Sequence, residues 1–195
     1  MVEENNTVEE ELKKIRAELF FIKREDYGDN YNQHLLEEYK LYVNMMDKTS
    51  ERRSSANTFF LTINSAIIGL MGLLLKISGG TILFNVIWYV ISAVFGILLC
   101  LRWEEVIKSY SDLNTGRFVI IHMLEEKLPA KLYKAEWDYL NPKEAASRYT
   151  PMTLTEKRVP QLFKILYILL IAVVIISYIL CFEFQQILSK YTGMI

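Results

Sequence analysis

The chain is poor in the residues that most enzyme chemistry uses: 195 residues hold two cysteines, two histidines and four prolines. His34 and His122 are far apart and both cysteines lie in long apolar runs, so no group has metal-ligand spacing and no metal or other cofactor is expected. There is no Gly-rich phosphate loop, no Gly-x-Ser-x-Gly elbow and no paired-cysteine motif. A net charge of −1 gives no basic surplus, and direct binding of nucleic acid is not expected. The opening stretch, MVEENNTVEEELKK, is acidic and has no apolar core of a cleavable signal, so the first span is expected to direct insertion itself.

What the chain has is apolar sequence, 52% of it, gathered in blocks. Residues 58–75, 82–101 and 165–182 carry no charge and reach the roughly 17–25 helical residues that cross a bilayer core. Three spans follow, in an all-α integral membrane protein. Lys40, Lys48, Arg52 and Arg53 precede the first span, Arg102, Lys108 and Arg117 follow the second, and the KISGG link between them has only Lys76. That asymmetry places the N-terminus and residues 102–158 in the cytosol and the tail outside. Lys157, Arg158 and Lys164 hold the third span in the same sense. Cys100 and Cys181 then lie near opposite faces of the membrane and are read as small buried hydrophobes.

Four segments organise the chain. Residues 1–30 are acidic, begin without order, and carry Val8, Leu12, Ile15, Leu19 and Ile22 at alternating spacings of four and three, ending at a YGDN break. That pattern fits either a short coiled-coil seam or an amphipathic helix lying on its own protein. Residues 31–101 form a long helix and a transmembrane hairpin with a tight outer turn. One helix running from Tyr31 through the first span would be roughly 65 Å long, so much of it would stand in the cytosol. Residues 102–158 continue the second helix to Pro129 and then form a cytosolic helical region. Residues 159–195 hold the third span and the tail. Thr153 and Glu156 fit a capping box at the start of the last helix, and Pro160 is placed to kink it.

Polar and small residues within spans mark contacts. Asn57 and Asn64, seven apart, share nearly one helix face with Ser65 and Ser54 beside them. Such a stripe either lines a pore or bonds helix to helix. Ser65 and Gly69, then Ser92, Gly96 and Cys100, are small residues at four-residue spacing, which lets the first two spans approach each other and neighbouring subunits. The third span, with few such residues, is expected to face lipid.

Arg117 and His122 stand in the Arg-x4-His spacing by which RNA-cleaving HEPN domains are recognised. Five residues along a helix turn the two side chains about 140° apart, so one helix does not converge them. HEPN nucleases pair two such motifs across a dimer and usually carry a polar residue directly after the arginine. Here that residue is Phe118. No catalytic residue is therefore assigned. Arg117 is expected to be a tethered cation, paired to a carboxylate or to helix carbonyls, with His122 hydrogen-bonded nearby.

The stretches HLLEEYKLYVNMMDKTSERRSSANTFFLTIN, SYSDLNTGRFVIIHMLEEKLP and AEWDYL with YTPMTLTEKRVP resemble the RipA-type octameric membrane protein family over about residues 34–180. The Arg-x4-His spacing is similar to that of the branch accompanying type VI-B CRISPR systems, membrane accessory proteins with a divergent HEPN motif. The resemblance implies a homo-octameric ring around a pore in the bacterial inner membrane. It also implies antiviral action beside an RNA-guided RNA-cleaving effector, with loss of membrane integrity as output. The alternatives are a membrane-attached HEPN-like RNase and an envelope scaffold without conductance.

Overall fold

Within a bilayer a chain must satisfy its backbone internally, and the three apolar blocks do so as helices. The computed structural model describes residues 2–77, 82–142 and 146–192, with side chains for 7–73, 83–142 and 146–187. Six helices follow in order: α1 (Val2–Leu19), α2 (Arg24–Tyr27), α3 (Tyr31–Ile77), α4 (Ile82–Glu125), α5 (Leu132–Leu140) and α6 (Met152–Thr192). There is no strand among the described residues. α3, α4 and α6 are each long and apolar enough to cross a membrane. The outer turn expected around Ser78–Gly80 lies outside the described residues.

The chain divides into two units, 1–49 with 113–149 and 50–112 with 150–195, so α3 and α4 each contribute to both. In the first unit Leu35, Met46, Ile121, Met123 and Leu124 are buried. Helix is assigned from Val2, where an unordered start was expected, and α1 stops at Leu19, ahead of the anticipated YGDN break. Ile22 thus falls beyond it. The turn into α3 uses Gly28, whose φ of 92° is the left-handed conformation that glycine adopts without strain.

In the second unit Met71, Ala93, Cys100 and Tyr167 form a closed core, flanked by Ile67, Tyr89, Ile97 and Phe163. The third span keeps most of its side chains outward, and Tyr167 is the exception among residues 165–182: it is fully buried. One expectation fails here. Thr153 and Glu156 do not form a capping box. Both lie inside α6, and both take hydrogen bonds from Arg53. A long-range cation has claimed the side chains that the local pattern assigned to helix capping. α6 also continues through the buried Pro160.

Candidate functional site

In the first unit Arg117 is fixed by two residues of α3. Arg117 Nη1 donates to the Met45 carbonyl at 3.3 Å and to the Thr49 hydroxyl. Thr49 in turn donates to the same carbonyl at 3.0 Å. The cation is thus held by α3 through a carbonyl and a hydroxyl. Burial pushes the Tyr42 hydroxyl above its ordinary pKa, while the nearby Arg117 charge pulls it down.

His122 faces other groups. Its ring lies 6.2 Å from that of Phe118, and it lines a groove with Leu12 and Arg16 of α1 and Glu126. His122 Nε2 is buried without a hydrogen-bond partner among the described residues, contrary to the hydrogen-bonded role expected. Arg117 and His122 share no partner, so the structure does not bring the motif together. α1 is fastened beside this groove by Arg16, whose two terminal nitrogens each reach a Glu126 oxygen at 2.8 Å.

Phe118 has a positive role. Tyr133 and Trp137 of α5 pack on it at 6.0 and 6.5 Å between ring centroids. The residue that departs from a nuclease motif is the anchor for α5.

The sequence reading missed Glu125. Its carboxylate is fully buried at the end of α4. Oε1 accepts from the Tyr39 hydroxyl at 3.1 Å and the Tyr133 amide at 2.8 Å, and Oε2 accepts from the Lys134 amide at 3.0 Å. Those amides are two of the unsatisfied donors at the start of α5, whose N-cap residue, Lys131, makes no side-chain cap of its own. Glu125 therefore caps α5 from another helix, with favourable charge at its N-terminus. The signal was present: Glu125 falls four residues after Ile121 and three before Leu128, on the apolar stripe. Burial, then the Glu125 hydrogen bond, pushes the Tyr39 hydroxyl up to about 12.

In the second unit, polar contacts join α3, α4 and α6. Asn57 accepts from the Trp103 indole at 2.8 Å, and Trp103 stacks on Phe60 at 5.7 Å. Asn64 donates to the Phe60 carbonyl at 2.8 Å and accepts from Tyr167 at 3.1 Å and Cys100 at 3.4 Å. With every side of Asn64 enclosed, its amide serves contact between helices, which in apolar surroundings would otherwise be left unsatisfied. Ser65, by contrast, is exposed. Arg53 pairs with Glu156, and Lys164 with Glu104 at 2.8 Å.

The small residues separate in the same way. Gly96 is buried, and a Cβ there would overlap the Tyr167 ring, so it serves α6 rather than the approach of α3 to α4. Ser92 is half-buried. Gly69 is exposed and a Cβ on it would meet nothing, so it packs no helix within this chain.

A family model described as the octameric membrane protein family (8xMP) matches residues 36–176, nearly three quarters of the chain. The chain belongs to the octameric membrane protein family. The match begins in α3 and ends in α6, so it takes in all three apolar helices and leaves α1 and α2 outside. No curated protein and no solved structure matches the chain. Membership supports self-association of an all-helical membrane protein.

Proposed function

We propose that this member of the octameric membrane protein family assembles as a homo-octameric ring in the bacterial inner membrane and permeabilises or depolarises it during type VI-B CRISPR defence. The observation that carries the reading is the family match, which covers the first two spans and reaches into the third. It is supported by the spans themselves, most of whose side chains stay exposed in the single chain and offer surface to neighbouring subunits. The exposed Ser65 and Gly69 face of α3 suits such close approach. A closed ring needs only two complementary faces repeated by rotation.

In this reading the N-terminus and residues 102–158 are cytosolic, where an RNA-guided RNA-cleaving effector acts. The protein is no enzyme in this reading: Arg117 ties α4 to α3, and His122 lines the groove beside α1. The test is to co-express the chain with a programmed effector and follow a potential-sensitive dye. Depolarisation should require the chain, the effector and its target RNA together. A potential that stays intact when all three are present overturns the proposal and leaves the scaffold reading.

A further inference from the structure

The groove in which α1 meets α4 is lined by Glu9, Leu12, Lys13 and Arg16 of α1 against His122 and Glu126 of α4, among others. We propose that this contact is a proton-released clasp: uptake of a proton by His122 lifts α1 from α4.

The first observation is the imidazole itself. His122 Nε2 is buried without a hydrogen-bond partner among the described residues. In the neutral ring that nitrogen can present a lone pair, with the proton on Nδ1. In the imidazolium both nitrogens are donors, so Nε2 becomes a charged N–H with nothing to receive it. A buried charged donor left unpaired is costly, and the protonated ring escapes that cost only if its surroundings move.

The second is the charge around the ring. The charged groups that line the groove with His122 are Glu9, Lys13 and Arg16 of α1 and Glu126 of α4. Glu9 is already beside Lys13 at 3.4 Å, and both oxygens of Glu126 are taken by Arg16. A new positive charge therefore faces two cations and one carboxylate on α1, and the balance is repulsive. Glu126 stands four residues after His122, one helix turn away, where the imidazolium competes with Arg16 for its carboxylate.

The third is how lightly α1 is held. Leu12 and Leu19 are half-buried, while Val8 and Ile15 are exposed. The Arg16 and Glu126 side chains are themselves 51% and 37% exposed, and an ion pair so open to water contributes little. α1 also lies outside the family match at residues 36–176, so its release leaves the matched helices in place. Because charge on His122 opposes docking, docking weakens as pH falls through the histidine range, between about pH 8 and 5. His34, the other histidine, does not line this groove and bonds the Tyr27 hydroxyl at 2.8 Å, which makes it the internal control.

The test is hydrogen exchange, read by mass spectrometry, on the full chain in phosphatidylcholine nanodiscs at about pH 8 and about pH 5.5. Each rate is divided by that of the same peptide unfolded at the same pH. Protection of α1 over residues 9–19 should fall roughly tenfold at the lower pH, the scale set by leaving one buried donor unpaired, while α3 around Leu35 and Met46 keeps its own. His122→Gln and His122→Leu take up no proton, and each should abolish the fall. His34→Gln should leave it unchanged. Equal protection of α1 at the two pH values in the unmodified chain, no protection at the higher pH, a loss shared by α3, a fall that survives both His122 variants, or a fall removed by His34→Gln would each overturn the proposal.

Discussion

Tyr167 of α6 occupies the space that a side chain at position 96 of α4 would need, and its hydroxyl reaches Asn64 Oδ1 of α3 at 3.1 Å. One aromatic residue thereby locks three helices. Gly96→Ala should force the buried ring to move and lower stability by about 1–3 kcal/mol, the usual cost of overpacking. Tyr167→Leu removes the ring, so the double variant should lose less than the sum of the two single changes. Thermal unfolding in detergent measures this, and strictly additive costs would show that the two residues are not in contact.

Asn64 gives the second prediction. Asn64→Leu removes the side-chain oxygen shared by the Tyr167 hydroxyl and the Cys100 thiol, while the Asn64 backbone carbonyl at 3.3 Å remains for Tyr167. Interhelical hydrogen bonds in membranes average about 0.6 kcal/mol and reach about 1.7, so the midpoint of unfolding should fall modestly. Ion flux per assembled complex in vesicles should stay unchanged. Reduced flux at undiminished stability would place Asn64 on a lumen.

The third concerns α5. Glu125→Ala deprives the Tyr133 and Lys134 amides of their acceptor, where loss of a helix cap costs about 0.5–2 kcal/mol. Hydrogen exchange at those two amides should accelerate, and so should exchange across α5. Glu125→Gln keeps one carbonyl oxygen and should protect one of the two. Unchanged exchange in the alanine variant would mean that α5 is held by Phe118 alone.

Tyr39 gives the pH dependence. Its pKa is raised from 10.0 to about 12 by burial and by the Glu125 hydrogen bond. A group whose folded pKa lies above its unfolded value contributes stability that is fully present below the unfolded value and disappears as pH rises through the folded one. Stability of the first unit should therefore fall between pH 10 and about 12. Tyr42 and Tyr133 are shifted upward as well, so the comparison is with Tyr39→Phe, which should flatten the fall without abolishing it. Equal slopes in both proteins would remove Tyr39 as a cause.

The helices were legible because uncharged blocks of span length and three-four apolar rhythm are local properties, readable without knowing any partner. Contacts were legible only in part. Gly96 stood out as small, yet its partner, Tyr167, is hidden inside ILYILLIAVV, where one more large apolar residue carries no pattern. Asn64 stood out as polar, but whether it faces a lumen or another helix depends on which side chains lie opposite. Thr153 and Glu156 satisfied a local rule and then met Arg53, a hundred residues away. Glu125 was passed over because a carboxylate on an apolar stripe interrupts the rhythm used to find the helix.

Arg117 decides between a structural and a catalytic reading of the HEPN-like helix. Its guanidinium bonds the Met45 carbonyl and the Thr49 hydroxyl, and no carboxylate takes part in either contact. Arg117→Ala should cost about 0.5–1.5 kcal/mol per hydrogen bond lost. Thr49→Val should make part of that loss redundant, so the two changes should be non-additive. Arg117→Lys keeps the charge and, because both contacts come from the one nitrogen Nη1, an ammonium reaching that position can make both, so it should cost less than Arg117→Ala. His122→Ala should behave independently of all three, since His122 shares no partner with Arg117. The same purified proteins, incubated with single-stranded RNA, should leave it intact throughout. If the unmodified chain cuts RNA, and alanine at either Arg117 or His122 abolishes cutting while the assembly keeps its size and unfolding midpoint, this helix is an active site and its packing contacts are incidental.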